Sequence, residues 1–280
     1  MHQHSHHQPH RHSDSPADLL DLDAEVHSEY LKDLVDWVAD RVDPRVIVDV
    51  GAGTGTGTRV LAARFPEAEV IAVDRSPEML ARIRDTADRH DVRGRVTTVE
   101  ADLDAGWPAV DSPHLVWAAL SLHHVQEPDT FLRELHDSLD PGALVVVIEM
   151  ESQPRFLPDD IGIGTPGLEA RAHALAGERG WNNHPDWTGD LERAGFDVEA
   201  VRRTEIDLDG TTPTARTYAR TVLGKLRHGL ENGLSADDLE VLAQLSSNHG
   251  PHSVLSRNDL RVRGHRTAWA ARKLDLGVNR

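Results

Sequence analysis

No cysteine occurs anywhere in the 280 residues. That absence excludes a disulfide framework, a thiol nucleophile and any thiolate-bound metal. A reducing cytoplasm is the compartment it fits. Long apolar runs are missing too, since no stretch approaches the roughly 20 consecutive apolar residues a membrane helix needs. The polar N-terminus has no apolar signal core, so the expectation is a cytoplasmic chain with no secretory signal. Basic side chains are outnumbered: 30 Lys and Arg face 47 Asp and Glu, for a formal charge of −17. Such a surface repels phosphate backbones, so neither nucleic acid nor an anionic membrane is an expected partner. The locally basic stretch around Arg216, Arg220, Lys225 and Arg227 reads as a solvated helix face. What is present, 39% hydrophobic and 28% charged residues, is the composition of a folded protein with a sizeable core.

Residues 1–15 hold six histidines (His2, His4, His6, His7, His10 and His12) and nothing apolar to bury. They read as a disordered tail; clustered imidazoles bind Zn²⁺ or Ni²⁺, but a flexible tail or expression remnant is the plainer account. Residues 16–280 read as a single domain with a cofactor-binding core over 44–150, a substrate and lid region over 151–258, and a final strand over 260–271.

Between Ala17 and Val42, Leu22, Val26, Tyr30, Leu34, Trp37 and Val38 recur near helical spacing, which predicts one long amphipathic helix or two short ones. Val46–Val50 is a β-branched run that stops at glycines and reads as a buried strand. Further strands are expected at Glu69–Val73, Arg95–Glu100, Leu115–Leu120 and Ala143–Glu149. Helices fall between them, one capped by Ser76 and another opened by Pro128. Strands alternating with helices imply an α/β fold with a doubly wound, mostly parallel sheet. After Met150 the rhythm breaks. Helices are expected at Gly167–Gly180 and Trp187–Ala194, a strand at Phe196–Leu208, then a helical pair at Pro213–Leu230 and from Ser235. A last strand at Leu260–Ala271 brings the total to seven, with the pair as an insertion before it.

The sharpest motif is Asp49-Val50-Gly51-Ala52-Gly53-Thr54-Gly55-Thr56-Gly57, between the first strand and a helix. Glycines serve where a ligand approaches the backbone, and the carboxyl ends of such strands are where ligands bind. A dinucleotide loop needs G-x-G-x-x-G. Counting from Gly51 or Gly53, the third glycine falls on Thr56 or Thr58, so the pattern fails. An Asp two residues before the first glycine suits a ligand bearing an ammonium group, although it can also cap the loop's own amides.

This segment resembles the first motif of the class I S-adenosylmethionine-dependent methyltransferases. Four more segments are similar in order and spacing: Asp74-Arg75-Ser76-Pro77-Glu78-Met79-Leu80, Glu100-Ala101-Asp102-Leu103, Ala118 to Val125, and Leu139-Asp140-Pro141-Gly142-Ala143. The likeness spans residues 30–150 and implies a Rossmann-like methyltransferase fold with an N-terminal helical lid. It implies S-adenosyl-L-methionine as cofactor. Asp49, Gly51, Ala52, Gly53 and Gly55 would form the loop around it, and Asp74 would hold the ribose hydroxyls. Arg75, Met79, Asp102 and Leu103 would lie at the adenine, and Ala118 and Tyr30 near the methionine end. Met79 and Tyr30 read equally well as packing residues. The function it implies is in-line methyl transfer to a small-molecule O, N or C nucleophile, which asks chiefly for position and exclusion of water. His123, after the fourth strand, is the expected site-facing histidine, as a base or in positioning or loop packing. The histidines at 173, 184, 249 and 252 lack partners at metal-ligand spacing, so no metal is expected. Two other readings stay open: a non-catalytic cofactor-binding or regulatory protein, and a nicotinamide-dependent reductase, which the glycine spacing disfavours. The oligomeric state is left open, a homodimer included.

Overall fold

The structure is a computed structural model that describes residues 15–89, 94–181 and 186–275. Residues 1–14 of the histidine-rich tail, and His184, lie outside the described residues.

The N-terminal periodicity resolves into two helices, α1 (Pro16–Val26) and α2 (Ser28–Ala39). Ser15 caps the first, its hydroxyl accepting from the Asp18 amide. The break falls at His27, a buried residue whose Nδ1–H donates to the Asp23 carbonyl at 2.7 Å. Then follow β1 (Val46–Val50), α3 (Thr56–Arg64), β2 (Glu69–Asp74), α4 (Pro77–Arg89), β3 (Val96–Glu100), β4 (Leu115–Ala119), α5 (Pro128–Ser138) and β5 (Leu144–Met150). The less regular half supplies α6 (Leu168–Glu178), α7 (Thr188–Arg193), β6 (Asp197–Asp209), α8 (Pro213–Gly229), α9 (Ala236–Leu245) and β7 (Arg261–Arg272). Ser235 caps α9 through the Asp238 amide.

The seven strands form one sheet in the order β3-β2-β1-β4-β5-β7-β6. β3 through β5 run parallel, while β7 pairs antiparallel with both β5 and β6. Parallel strands covered on both faces must be apolar throughout, and β1, β4 and β5 are buried along most of their length. One face packs Phe131, Leu132 and Leu135 of α5 against Val116, Val145 and Val147. The other packs Leu31, Leu34 and Val38 of α2 and Leu61 of α3 against Ile47, Leu115 and Val146.

A further core lies off the sheet, where α1, α6, α8 and α9 pack together through Leu22, Leu168, Tyr218, Leu223 and Leu242. The helical pair therefore supports α1 from behind.

Because the chain leaves β1 toward β2 on one side and β4 on the other, the order reverses between β1 and β4. The crevice at that reversal, outside the carboxyl ends of the strands, is where this architecture receives ligands.

Candidate functional site

A cavity of about 390 Å³ opens at that place. Its floor is the turn after β1. Gly51 has φ +65°, and a Cβ there would lie 2.5 Å from the Ser121 Cβ, so only glycine fits. Gly57 has no such torsion, but a Cβ on it would come within 2.9 Å of Asp49 Oδ2 and 3.0 Å of Trp117 Nε1. The amides of the turn are fixed by neighbouring strands: Ala52 N–H donates to the Val73 carbonyl, and Gly53 N–H to Asp74 Oδ2 at 2.8 Å. Asp74 Oδ1 accepts from the Ser76 amide, also at 2.8 Å. Each oxygen thus carries one backbone bond, leaving acceptor capacity for ligand hydroxyls.

Asp49 ends β1 beneath the loop and is 2% exposed. Its Oδ2 accepts from the Thr58 hydroxyl at 2.7 Å. Burial pushes its pKa up to about 6 against the Thr58 bonds, and the Asp74 charge adds to the rise. Beside it Trp117, on the paired position of β4, is fully buried with no partner for its indole N–H. A lone buried carboxylate beside an orphaned donor is a costly arrangement unless a ligand completes it.

Of the residues the sequence singled out, Asp49, Gly51, Ala52, Gly53, Asp74, Arg75, Met79, Asp102 and Leu103 line this cavity together. Asp102 also caps a short 3-10 turn over Leu103–Ala105 through the Asp104 amide. Gly55, Ala118, Tyr30 and His123 are not among the lining residues. Gly55 packs against Ile83 of α4, where its Cβ would come within 2.7 Å of that side chain. Ala118 points to the opposite face of the sheet and joins the α5 core, because alternation along β4 gives Trp117 and Ala119 to the cavity instead. Tyr30 is 8% exposed, packed beneath Arg266 with its ring 5.6 Å from the guanidinium.

The expectation for His123 needs correcting. Leu122–His124 form a single 3-10 turn, and it is His124 that lines the cavity. His123 turns back, its Nδ1 2.9 Å from Oε2 of the buried Glu149 on β5, with its ring 4.0 Å from that of His124. The His124 pKa is lowered, first by burial and then by His123.

Sequence reasoning missed several lining residues. Leu120 closes β4 at φ +54°, a left-handed conformation unusual for a branched residue, held by its amide bond to the Ile148 carbonyl. Ser121 Oγ donates to the Val50 carbonyl and ties β4 to β1. The roof is α1, which supplies Leu20, Asp23 and Ala24, and Leu31 of α2 joins it. Arg266 of β7 closes the far side. Of the segments expected to form the lid, the N-terminal helix α1 lines the cavity; among the described residues nothing between 151 and 258 does. No local pattern marks a pair such as Asp23 and Arg266, which lie 243 positions apart.

Comparison with known proteins agrees with this geometry. Residues 47–142 match the family model for a methyltransferase domain. The chain is similar to a trans-aconitate 2-methyltransferase of Methylobacterium radiotolerans, 36% identical over 173 residues, 59% of this chain and 60% of that protein. A malonyl-[acyl-carrier protein] O-methyltransferase of Halorhodospira halophila is 38% identical over 165 residues, 58% of this chain and 54% of that one. The chain thus spans somewhat over half the length of these curated relatives. Among solved structures, the YcgJ protein of Bacillus subtilis superposes with a TM-score of 0.52 at 14% identity, over 88% of this chain and 99% of that one. The [4+2]-cyclase SpnF reaches 0.50 at 20% identity, over 87% and 81%. These likenesses establish the seven-stranded Rossmann-like methyltransferase fold. The matched segment of the methyltransferase domain holds the strand-end acids and the glycine turn. Asp23, Glu149 and Arg266 lie outside it. No group of three or more His, Asp or Glu side chains placed to hold a metal ion occurs among the described residues. No described helix is long and apolar enough to cross a membrane.

Proposed function

We propose that this protein binds S-adenosyl-L-methionine in the cavity and catalyses transfer of its methyl group to a small-molecule acceptor. The observation that carries the reading is the pairing of Asp49 and Asp74 across the glycine turn. One carboxylate is buried with an elevated pKa beside an unpartnered indole N–H, and the other is half-exposed with spare acceptor capacity. The first suits an ammonium and the second a vicinal diol, 25 residues apart in sequence yet one strand apart in space. A pyrophosphate would meet two carboxylates here, which disfavours the nicotinamide reading.

When bound, the cofactor supplies an electrophilic methyl on a sulfonium. The chain's own residues hold the nucleophile in line and exclude water. The glycine turn, Asp49 and Trp117 fix the amino-acid end, with Asp74, Arg75, Met79, Asp102 and Leu103 at the adenosine. α1 covers the cavity and shields it from bulk water. His124 faces the cavity with a depressed pKa, so it is neutral at pH 7 and able to accept a proton from a protic acceptor. His123, held by Glu149, braces that ring. We place all of this in one domain, with the cofactor core at 44–150.

The test is release of S-adenosylhomocysteine when protein and S-adenosylmethionine are incubated with a panel of small hydroxyl, carboxyl and amine compounds. Turnover with any of them supports an enzyme. Tight cofactor binding without turnover across a broad panel would favour a non-catalytic binding protein instead, a reading worth keeping because the fold is also that of the [4+2]-cyclase SpnF.

A further inference from the structure

Four of the five acidic residues lining the cavity gather at one end. Asp49, Asp74, Asp102 and Asp104 belong to β1, β2 and the segment after β3. At the other end stands one buried cation, Arg266 of β7, 5% exposed and part of the cavity wall. Its neighbour on β5 is Met150, in the register that sets Ala268 beside Ile148. β1 and β7 are separated by β4 and β5, so the guanidinium's strand lies about 14 Å from the strand of Asp49 at ordinary strand spacing. The proposed cofactor occupies the β1–β3 side, which leaves the β4–β5–β7 side for the acceptor. Leu20, Ala24, Leu31, Ala119 and Ile148 give that side an apolar stretch, and Ser121 and His124 beyond the end of β4 join Asp23 and Arg266 as its polar members.

Arg266 is held firmly but not used up. Its Nη2 donates to Asp23 Oδ1 at 2.6 Å, and the Tyr30 ring lies against the guanidinium. Nη2 also lies 3.3 Å from His27 Nδ1. That nitrogen spends its hydrogen on the Asp23 carbonyl and has no lone pair to offer. Asp23 is committed in turn, since the Tyr218 hydroxyl donates to the same Oδ1 at 2.7 Å. Nε and Nη1 of Arg266 make no hydrogen bond to a described residue. A planar guanidinium fork with unspent N–H groups beside that apolar stretch matches a carboxylate in charge.

We infer that the methyl acceptor of this protein carries a carboxylate, and that Arg266 anchors it on the far side of the cavity from the cofactor's amino-acid end. Asp23, Tyr218 and Tyr30 are positioning residues that keep the guanidinium aimed. The inference rests on the reading of the cavity as a cofactor and acceptor site, and it adds the acceptor's chemical class. The anchored carboxylate fixes orientation, and the apolar wall takes the acceptor's hydrocarbon body.

The experiment is calorimetric, on full-length protein saturated with S-adenosylhomocysteine. The titrants are trans-aconitate, adipate, benzoate and trans-cinnamate, each paired with its amide. At least one acid is expected to bind about tenfold or more tighter than its amide, the range a charge-assisted hydrogen bond supplies. The double variant Asp23→Asn/Arg266→Gln, which removes both charges together, is expected to abolish that preference once its own titration shows that S-adenosylhomocysteine saturates it. Arg266→Lys, which keeps the charge but not the fork, is expected to fall between. Acids that bind no better than amides, or a preference that survives in the double variant, would overturn the assignment while leaving the cofactor reading intact. Absence of heat with S-adenosylhomocysteine itself would bring down both. Should the double variant misfold, the acid-against-amide comparison on the parent still decides.

Discussion

Asp49 is asked to do two conflicting things, and its ionisation shows the conflict. A carboxyl whose folded pKa is about 6, against the 3.8 of an unperturbed aspartate, is destabilising in its charged form. The unliganded protein therefore loses stability as pH rises from about 4 to 6, by roughly 2–3 kcal/mol from this group alone. Asp49→Asn is expected to raise the melting temperature of the ligand-free protein at pH 7.5 while weakening S-adenosylhomocysteine binding by about 10- to 100-fold. In the parent, affinity should fall as pH drops below 6, because a proton competes with the ligand's ammonium. The variant should show a flat profile over that range, and calorimetry between pH 5 and 8 distinguishes the two. Gly51→Ala is expected to abolish binding, since its Cβ meets Ser121 whatever rotamer that residue takes. These residues were legible in the sequence because their signal is local: a short strand, an acid and closely spaced glycines. His123 was misread for an equally local reason. In Leu122–His124 nothing in the sequence distinguishes which imidazole faces inward, and the answer is set by a partner, Glu149, 26 residues away. His124→Ala is accordingly expected to lower turnover more than cofactor affinity, and His123→Ala to act less and through its neighbour.

At the scale of elements, the strands of the parallel half were predicted to within a residue or two at each end, since β-branched runs closed by glycine or Asp-Pro leave little freedom. The role of α1 was half visible. Its amphipathic pattern predicted a helix, but not what holds it over the cavity. Arg82 of α4 pairs with Asp21 on one edge, and Asp23 pairs with Arg266 and Tyr218 on the other. The second attachment is the stronger because it is buried. Desolvation alone would raise the Asp23 carboxyl, yet the Arg266 charge and the bonds from Arg266 and Tyr218 bring it down to about 2. The stabilisation this pair gives is complete above the unfolded value near 4 and is lost as pH falls through about 2. Its size is on the order of 2 kcal/mol. Asp23→Ala leaves the arginine buried and unpaired, and is expected to cost about 3–5 kcal/mol in denaturant melts. Arg82→Ala, at a partly exposed pair, is expected to cost less than about 1 kcal/mol.

For the whole molecule, the order of strands does the decisive work. Reversal of the strand order between the parallel β1 and β4 opens the crevice, and the antiparallel β7 returns the chain so that Arg266 completes the wall. α1, expected as part of the lid, covers the cavity, and α6, α8 and α9 of the 151–258 region pack behind it. Periodicity could locate the α8 and α9 helices but not their partners, since a helix's apolar stripe does not say what it covers. The cofactor half of the cavity was thus readable from 44–150, and the acceptor half was not, being assembled from α1, β5 and β7.

The most direct test of the central claim is titration of ligand-free protein with S-adenosylhomocysteine and, separately, with NAD⁺, at pH 7.5. Single-site binding of the first, weakened by Asp49→Asn and by Asp74→Ala, with no heat from the second, is the predicted result. Binding of NAD⁺ in preference, or S-adenosylhomocysteine binding unaffected by loss of either carboxylate, would contradict it.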